Sequence, residues 1–74
     1  MKVTIKLFAS FRQGRFIVKE CEYEGKISIL QVLHEFAIPL VGVGVLLCNG
    51  RHVDFDCELV EDDVCSIFPK VGGG

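Results

Sequence analysis

From Lys2 to Phe8 polar and apolar residues alternate, with Lys2, Thr4 and Lys6 in one parity and Val3, Ile5 and Leu7 in the other. A period of two sends successive side chains to opposite faces of a strand, so this segment predicts a half-buried strand. Gln13-Gly14 then supplies turn chemistry, and Arg15 to Tyr23 reads as a second strand pairing antiparallel with the first. The period changes at Ser28. Ser28 and Gln31 have the Ser-x-x-Gln spacing of a capping box, in which each satisfies a backbone N–H at the helix start. Ile29, Leu30, Leu33, Phe36 and Ala37 follow on one side at helical spacing, with Gln31, His34 and Glu35 facing out. Pro39 disfavours helical geometry at Ile38, so the helix is expected to end there.

Gly42-Val43-Gly44 reads as a loop; without the rest of a phosphate-binding fingerprint or a following helix, its two glycines are not a phosphate cradle. Val45 to Cys48 is an apolar run, as expected of a strand buried on both faces. Asn49-Gly50 is a strong hairpin signal, because both residues accept the positive φ of a type I′ turn. Arg51 to Phe55 returns as a short strand, Glu58 to Asp63 is an acidic turn, and Val64 to Phe68 is the last strand, stopped by Pro69. The order β-β-α-β-β-β predicts an α+β domain: one main helix on a mixed sheet of four or five strands.

With 74 residues there is room for one core, and a 50% hydrophobic fraction is enough to fill it. The net charge is -2 and the eight Lys and Arg are scattered, which argues against nucleic acid, since phosphate binding needs a concentrated positive face. No apolar run approaches the roughly 20 residues of a membrane-spanning helix, and no secretory leader opens the chain, so a cytoplasmic address is expected. Cys21, Cys48, Cys57 and Cys65 include no close CxxC pair, so no metal site is expected, and in a chain without a leader they are expected to be reduced thiols.

The sequence closes on Val71-Gly72-Gly73-Gly74. Glycine lacks a Cβ, so such a tail can lie extended in a narrow channel that any side chain would block. That suits a terminal carboxylate meant to enter another protein's active site. Residues 1–69 are therefore expected to form the folded domain and 70–74 a flexible tail, with Gly72, Gly73 and Gly74 as its inserting portion.

Four segments in order resemble the small ubiquitin-like sulfur carriers of the β-grasp fold, the MoaD/ThiS family. They are Leu7-Phe8-Ala9-Ser10-Phe11-Arg12, Asn49-Gly50-Arg51, Leu59-Val60-Glu61-Asp62-Asp63-Val64 and Ile67-Phe68-Pro69-Lys70-Val71-Gly72-Gly73-Gly74. The Phe-Ala-x-x-Arg and Phe-Pro-x-Val signals lean toward the molybdopterin branch over the thiamine branch. Two departures stand out: Asp62 occupies a position where the family usually has a turn glycine, and Lys70 follows Pro69 where the molybdopterin branch often carries Pro-Pro. Asp tolerates the left-handed region better than most residues, so that turn is expected to survive.

The resemblance implies a carrier rather than an enzyme. A ubiquitin-activating-type enzyme, using its own ATP and magnesium, would adenylate the Gly74 carboxylate; a sulfur donor would convert it to a thiocarboxylate, and a larger synthase subunit would hold the pterin acceptor. No cofactor is expected on this chain. The resemblance further implies an apolar partner-binding patch at Phe8, His52, Phe68 and Pro69. Thiamine-type and tRNA-thiolation carriers, a ubiquitin-like modifier of protein lysines, and a non-reactive β-grasp binding module are the alternative readings.

Overall fold

The alternation at the start of the chain becomes strand β1 (Lys2–Leu7), in which Val3, Ile5 and Leu7 are buried. The computed structural model describes residues 1–71; Gly72, Gly73 and Gly74, and with them most of the expected tail, lie outside the described residues. β2 (Val18–Glu22) pairs antiparallel with β1, Val3 opposite Cys21 and Ile5 opposite Lys19. It starts three residues later than the predicted Arg15, because the connection is occupied by a 3-10 turn at Ala9–Arg12 that drops Phe11 into the core. Arg15 is drawn away to the helix, where its guanidinium donates to the carbonyls of Phe36 (2.9 Å) and Ala37 (2.8 Å).

The predicted capping box is present: Gln31 N–H donates to Ser28 Oγ, and Ser28 N–H donates to the Gln31 side chain. Helix α1 (Ile29–Glu35) buries Ile29, Val32 and Leu33. It stops before the predicted Ile38. Ala37 adopts φ 54°, Ile38 N–H reaches back to Leu33 O, and Ala37 N–H donates to His34 O, the paired bonds of a Schellman ending. Ala37 is consequently exposed rather than on the inner face, and Val32 takes the inner position. Tyr23, at the end of β2, donates a 2.6 Å hydrogen bond to Glu35; burial first, and that bond second, push its pKa upward.

A second 3-10 turn (Leu40–Gly42) leads into β3 (Val43–Cys48), so Val43 and Gly44 belong to a strand rather than a loop. Asn49 (φ 54°) and Gly50 (φ 81°) form the expected hairpin. Its returning strand β4 (Arg51–His52) is shorter than predicted. β5 (Val64–Pro69) closes the sheet in the order β2-β1-β5-β3-β4, parallel to β1 and antiparallel to β3. This is the ubiquitin-like β-grasp arrangement, with five strands and one α-helix among the described residues.

The core lies between α1 and one sheet face, where Val3, Ile5, Leu7, Leu33 and Ile67 are at 0–1% exposure. β3 is buried on that face alone: Leu46 and Cys48 point inward, whereas Val45 and Leu47 are half-buried on the other face. The acidic turn is held from within by Asp63, which is buried and accepts from Asn49 Nδ2 and Val60 N–H at 2.9 Å each. Asp62 adopts φ 69°, so the turn keeps its left-handed position without glycine.

The cysteine expectation is corrected in part. Cys21 and Cys57 are free thiols, but Cys48 and Cys65 form a disulfide. They are direct partners of the β3–β5 register with Cα atoms 4.2 Å apart. Asn49 N–H donates to Val64 O just beyond them, which makes theirs a non-hydrogen-bonded pair, the closer of the two antiparallel pairings.

Candidate functional site: an aromatic patch at the root of the tail

Strand parity puts Lys2, Thr4, Lys6 and Phe8 of the first segment, and Ser66 and Phe68 of β5, on the sheet face opposite α1. β1 and β5 are neighbours with Leu7 opposite Ile67, so the next residues, Phe8 and Phe68, meet on that outer face. Their rings stack with centroids 4.1 Å apart and planes 13° from parallel, both half-buried. Arg12 lies 5.0 Å above the Phe8 ring and is anchored there by its Nε, which donates to Leu7 O at 2.7 Å. A guanidinium over an aromatic face is held by the ring quadrupole and keeps its remaining N–H groups turned toward solvent or a partner.

The patch extends sideways across the sheet. Phe68 is opposite Val45 on β3, Ser66 is opposite Leu47, and Leu47 is opposite His52 on β4. His52 is exposed at the far edge, separated from the aromatic stack by the β3 side chains. A shallow groove of about 280 Å³ runs beside it along Val43–Leu46 and His52–Phe55. Pro69 is opposite Val43 and half-buried, where the chain leaves the sheet.

Phe8 and Phe68 are therefore brought into contact; Pro69 follows Phe68 along the chain, and His52 lies two strands away, beyond β3. Gly72, Gly73 and Gly74 fall outside the described residues. Arg12 was missed as a member of the patch, since only the 3-10 turn carries it back over Phe8; the Phe-Ala-x-x-Arg spacing was the available signal. Val45 and Leu47 were missed because the apolar run hid which side faces outward.

Chemically this surface offers stacked aromatic area, one oriented cation and an exposed imidazole. Apolar groups ringed by a few polar ones are what partner-binding surfaces require. Among the described residues, no three His, Cys, Asp or Glu side chains are grouped to hold a metal ion, and no helix is long and apolar enough to cross a membrane.

No sequence profile of a protein family matches the chain, and no curated protein matches it significantly. Solved structures do. A protein from Pyrococcus furiosus, described provisionally as molybdopterin converting factor, subunit 1, is 30% identical, with a TM-score of 0.75 over 96% of this chain and 99% of its own. The chain belongs to the molybdopterin converting factor subunit 1 (MoaD) family. The β-grasp is shared more widely: SAMP1 from Haloferax volcanii superposes with a TM-score of 0.76 over the whole of both chains at 20% identity. A Helicobacter pylori structure described as the complex of subunits 1 and 2 of molybdopterin-converting factor matches with a TM-score of 0.68, also over the whole of both chains at 20% identity. In this MoaD-family chain one ring of the aromatic stack, Phe68, sits on β5, the strand whose next residues open the glycine tail.

Proposed function

We propose that this protein is a cytoplasmic sulfur carrier in molybdopterin or tungstopterin cofactor biosynthesis, a co-substrate and small synthase subunit rather than an independent catalyst. The observation that carries the reading is the Phe8–Phe68 stack: Phe68, one of its two rings, lies on the strand whose next residues lead into the glycine tail. Membership of the MoaD family supports it.

A free carboxylate is a poor electrophile. A ubiquitin-activating-type partner supplies ATP and magnesium, and a carboxylate oxygen of Gly74 attacks the α-phosphorus, forming the acyl-adenylate and releasing pyrophosphate. The terminal sulfur of a persulfide donor then attacks the acyl carbon and AMP leaves. A thiol cleaves the resulting S–S bond, leaving a thiocarboxylate on Gly74 and a disulfide on the donor side. The thiocarboxylate sulfur passes to a pterin precursor held by a larger synthase subunit. This chain contributes docking through Phe8, Phe68, His52 and Pro69, and a tail, Gly72-Gly73-Gly74, without side chains to obstruct the channel.

The test is incubation with the cognate activating enzyme, ATP, magnesium and a persulfide donor, followed by intact-mass measurement. An oxygen-to-sulfur mass increase on the terminal glycine is expected. Removing Gly73 and Gly74 should abolish it while changing stability by no more than about 0.5 kcal/mol, since glycines bring no side chain to bury. Sulfur gain by the truncated chain, or none by the full chain, refutes the proposal; adducts to protein lysines would identify a modifier instead.

A further inference from the structure

The register of β3 against β5 contains one irregularity, and it falls at the point where the tail begins. Val45 is opposite Phe68 and Val43 is opposite Pro69, so two steps along β3 match one step along β5 and Gly44 is the extra residue. A bulge of this kind bends its strand and re-aims the neighbouring backbone. Here the bulge is pressed against the departing chain. A Cβ on Gly44 would lie 2.8 Å from Pro69 O, 2.9 Å from Lys70 Cα and 3.0 Å from Lys70 N. All three are backbone atoms, so no side chain can swing aside; the chain at 69–70 would have to move. Two residues back along the chain, Gly42 O accepts the Lys70 N–H at 2.9 Å. The path of residues 69–70 is thus set by contact at Gly44 and by a hydrogen bond at Gly42.

We propose that Gly44 is a positioning residue for tail delivery: the missing side chain forms a backbone saddle that fixes the path of Pro69 and Lys70, the point from which the tail is offered to the partner's channel. The inference rests on the sulfur-carrier reading and names the feature of this chain that directs the tail. Four residues follow Lys70, up to and including Gly74, an extended reach of about 13 Å. Three of the four are glycines and offer a channel no side chain to grip, so the exit at Lys70 is the last place where the chain itself imposes a direction. Displacing that exit shifts Pro69 but keeps the Phe8–Phe68 contact and His52, so it changes the aim far more than the docking surface.

The experiment compares wild type, Gly44→Ala and Val41→Ala. Val41→Ala is the control, because Val41 lies in the same 3-10 turn as Gly42 but its side chain is 78% exposed and touches neither the exit nor the patch. Steady-state thiocarboxylate formation is followed by intact mass with the activating enzyme, ATP and a persulfide donor while the carrier concentration is varied. For Gly44→Ala the KM for the carrier should stay within about threefold of wild type, because of the docking residues only Pro69 lies at the displaced exit, while kcat falls roughly 10- to 100-fold, as displacements of about an ångström do at reacting centres. Val41→Ala should match wild type in both. Equal kcat for Gly44→Ala and wild type overturns the inference and leaves the sulfur-carrier reading standing; no reaction in wild type overturns both. Amide hydrogen exchange on the wild-type protein provides a test that needs no variant to fold. The Lys70 N–H should be protected like the amides of β5, and exchange at the rate of an unstructured peptide would show that no saddle holds the exit.

Discussion

The Phe8–Phe68 stack allows stability and partner binding to be separated by a double-mutant cycle. Each ring is half-buried, and complete burial of a Phe contributes about 1.5–3 kcal/mol, so each ring's partial burial is worth about 1 kcal/mol. The parallel contact at 4.1 Å adds about 0.5–1.5 kcal/mol, and Arg12 over Phe8 about 0.5–1 kcal/mol more. Phe8→Ala should therefore cost about 2–3 kcal/mol and Phe68→Ala about 2 kcal/mol, with the double variant less destabilised than the sum by about 1 kcal/mol. Truncating the buried Phe11 should cost more, about 3–5 kcal/mol. A domain of this size has a total stability of about 4–11 kcal/mol, so the single patch variants remain folded. Urea titration at constant slope measures these losses. Calorimetric titration of the folded variants with the activating enzyme or the larger synthase subunit measures binding, where loss of an interface hot spot of about 2 kcal/mol weakens Kd about 30-fold. Additive stability losses would refute the energetic role of the stack. An unchanged Kd in both single variants would refute its role in docking.

Two further predictions concern the scaffold. Ala37 holds a left-handed conformation (φ 54°) at the Schellman position and is exposed, so Ala37→Gly removes strain without leaving a cavity; thermal unfolding should show a gain of about 1 kcal/mol, some 4–8 °C in Tm. The Cys48–Cys65 disulfide closes a loop with a sequence separation of 17, for which chain entropy gives about 3 kcal/mol. Calorimetric scans with and without a thiol reductant should therefore differ by about 12–24 °C in Tm, and no difference would show that the link adds nothing to the fold.

The legibility of each element in the sequence depends on how local its determinants are. The β1 alternation, the Ser28–Gln31 capping box and the Asn49-Gly50 turn are each set by residues within a few positions, and all three appear as expected. The end of α1 was misplaced because the left-handed residue is Ala37, not a glycine, and its carbonyls are held by Arg15 from 21 or 22 positions away. The loss of residues 15–17 from β2 has the same origin. β3's outer face could not be assigned, since an unbroken apolar run carries no parity. The Cys48–Cys65 contact required knowing that β5 inserts between β1 and β3. For the candidate site, the parity of Phe8 was visible, its partner was suggested by family resemblance, and Arg12 and Gly44 depend on tertiary geometry.

The sheet order also explains why tail and patch are joined. β5 is the central strand, bonded to β1 on one side and β3 on the other, so it is the strand least able to fray. Its inner residues, Cys65 and Ile67, are fully buried; its outer residues, Ser66 and Phe68, look onto the open face. An edge strand could have carried the glycine tail as well, but its direction would then shift with every opening of the sheet. On the sulfur-carrier reading, rooting the tail in the middle strand ties the proposed docking surface and the start of the tail to the same part of the sheet. On that reading, a partner that holds Phe8 and Phe68 also fixes the position of Pro69, and the contact proposed at Gly44 sets the path of the chain from there.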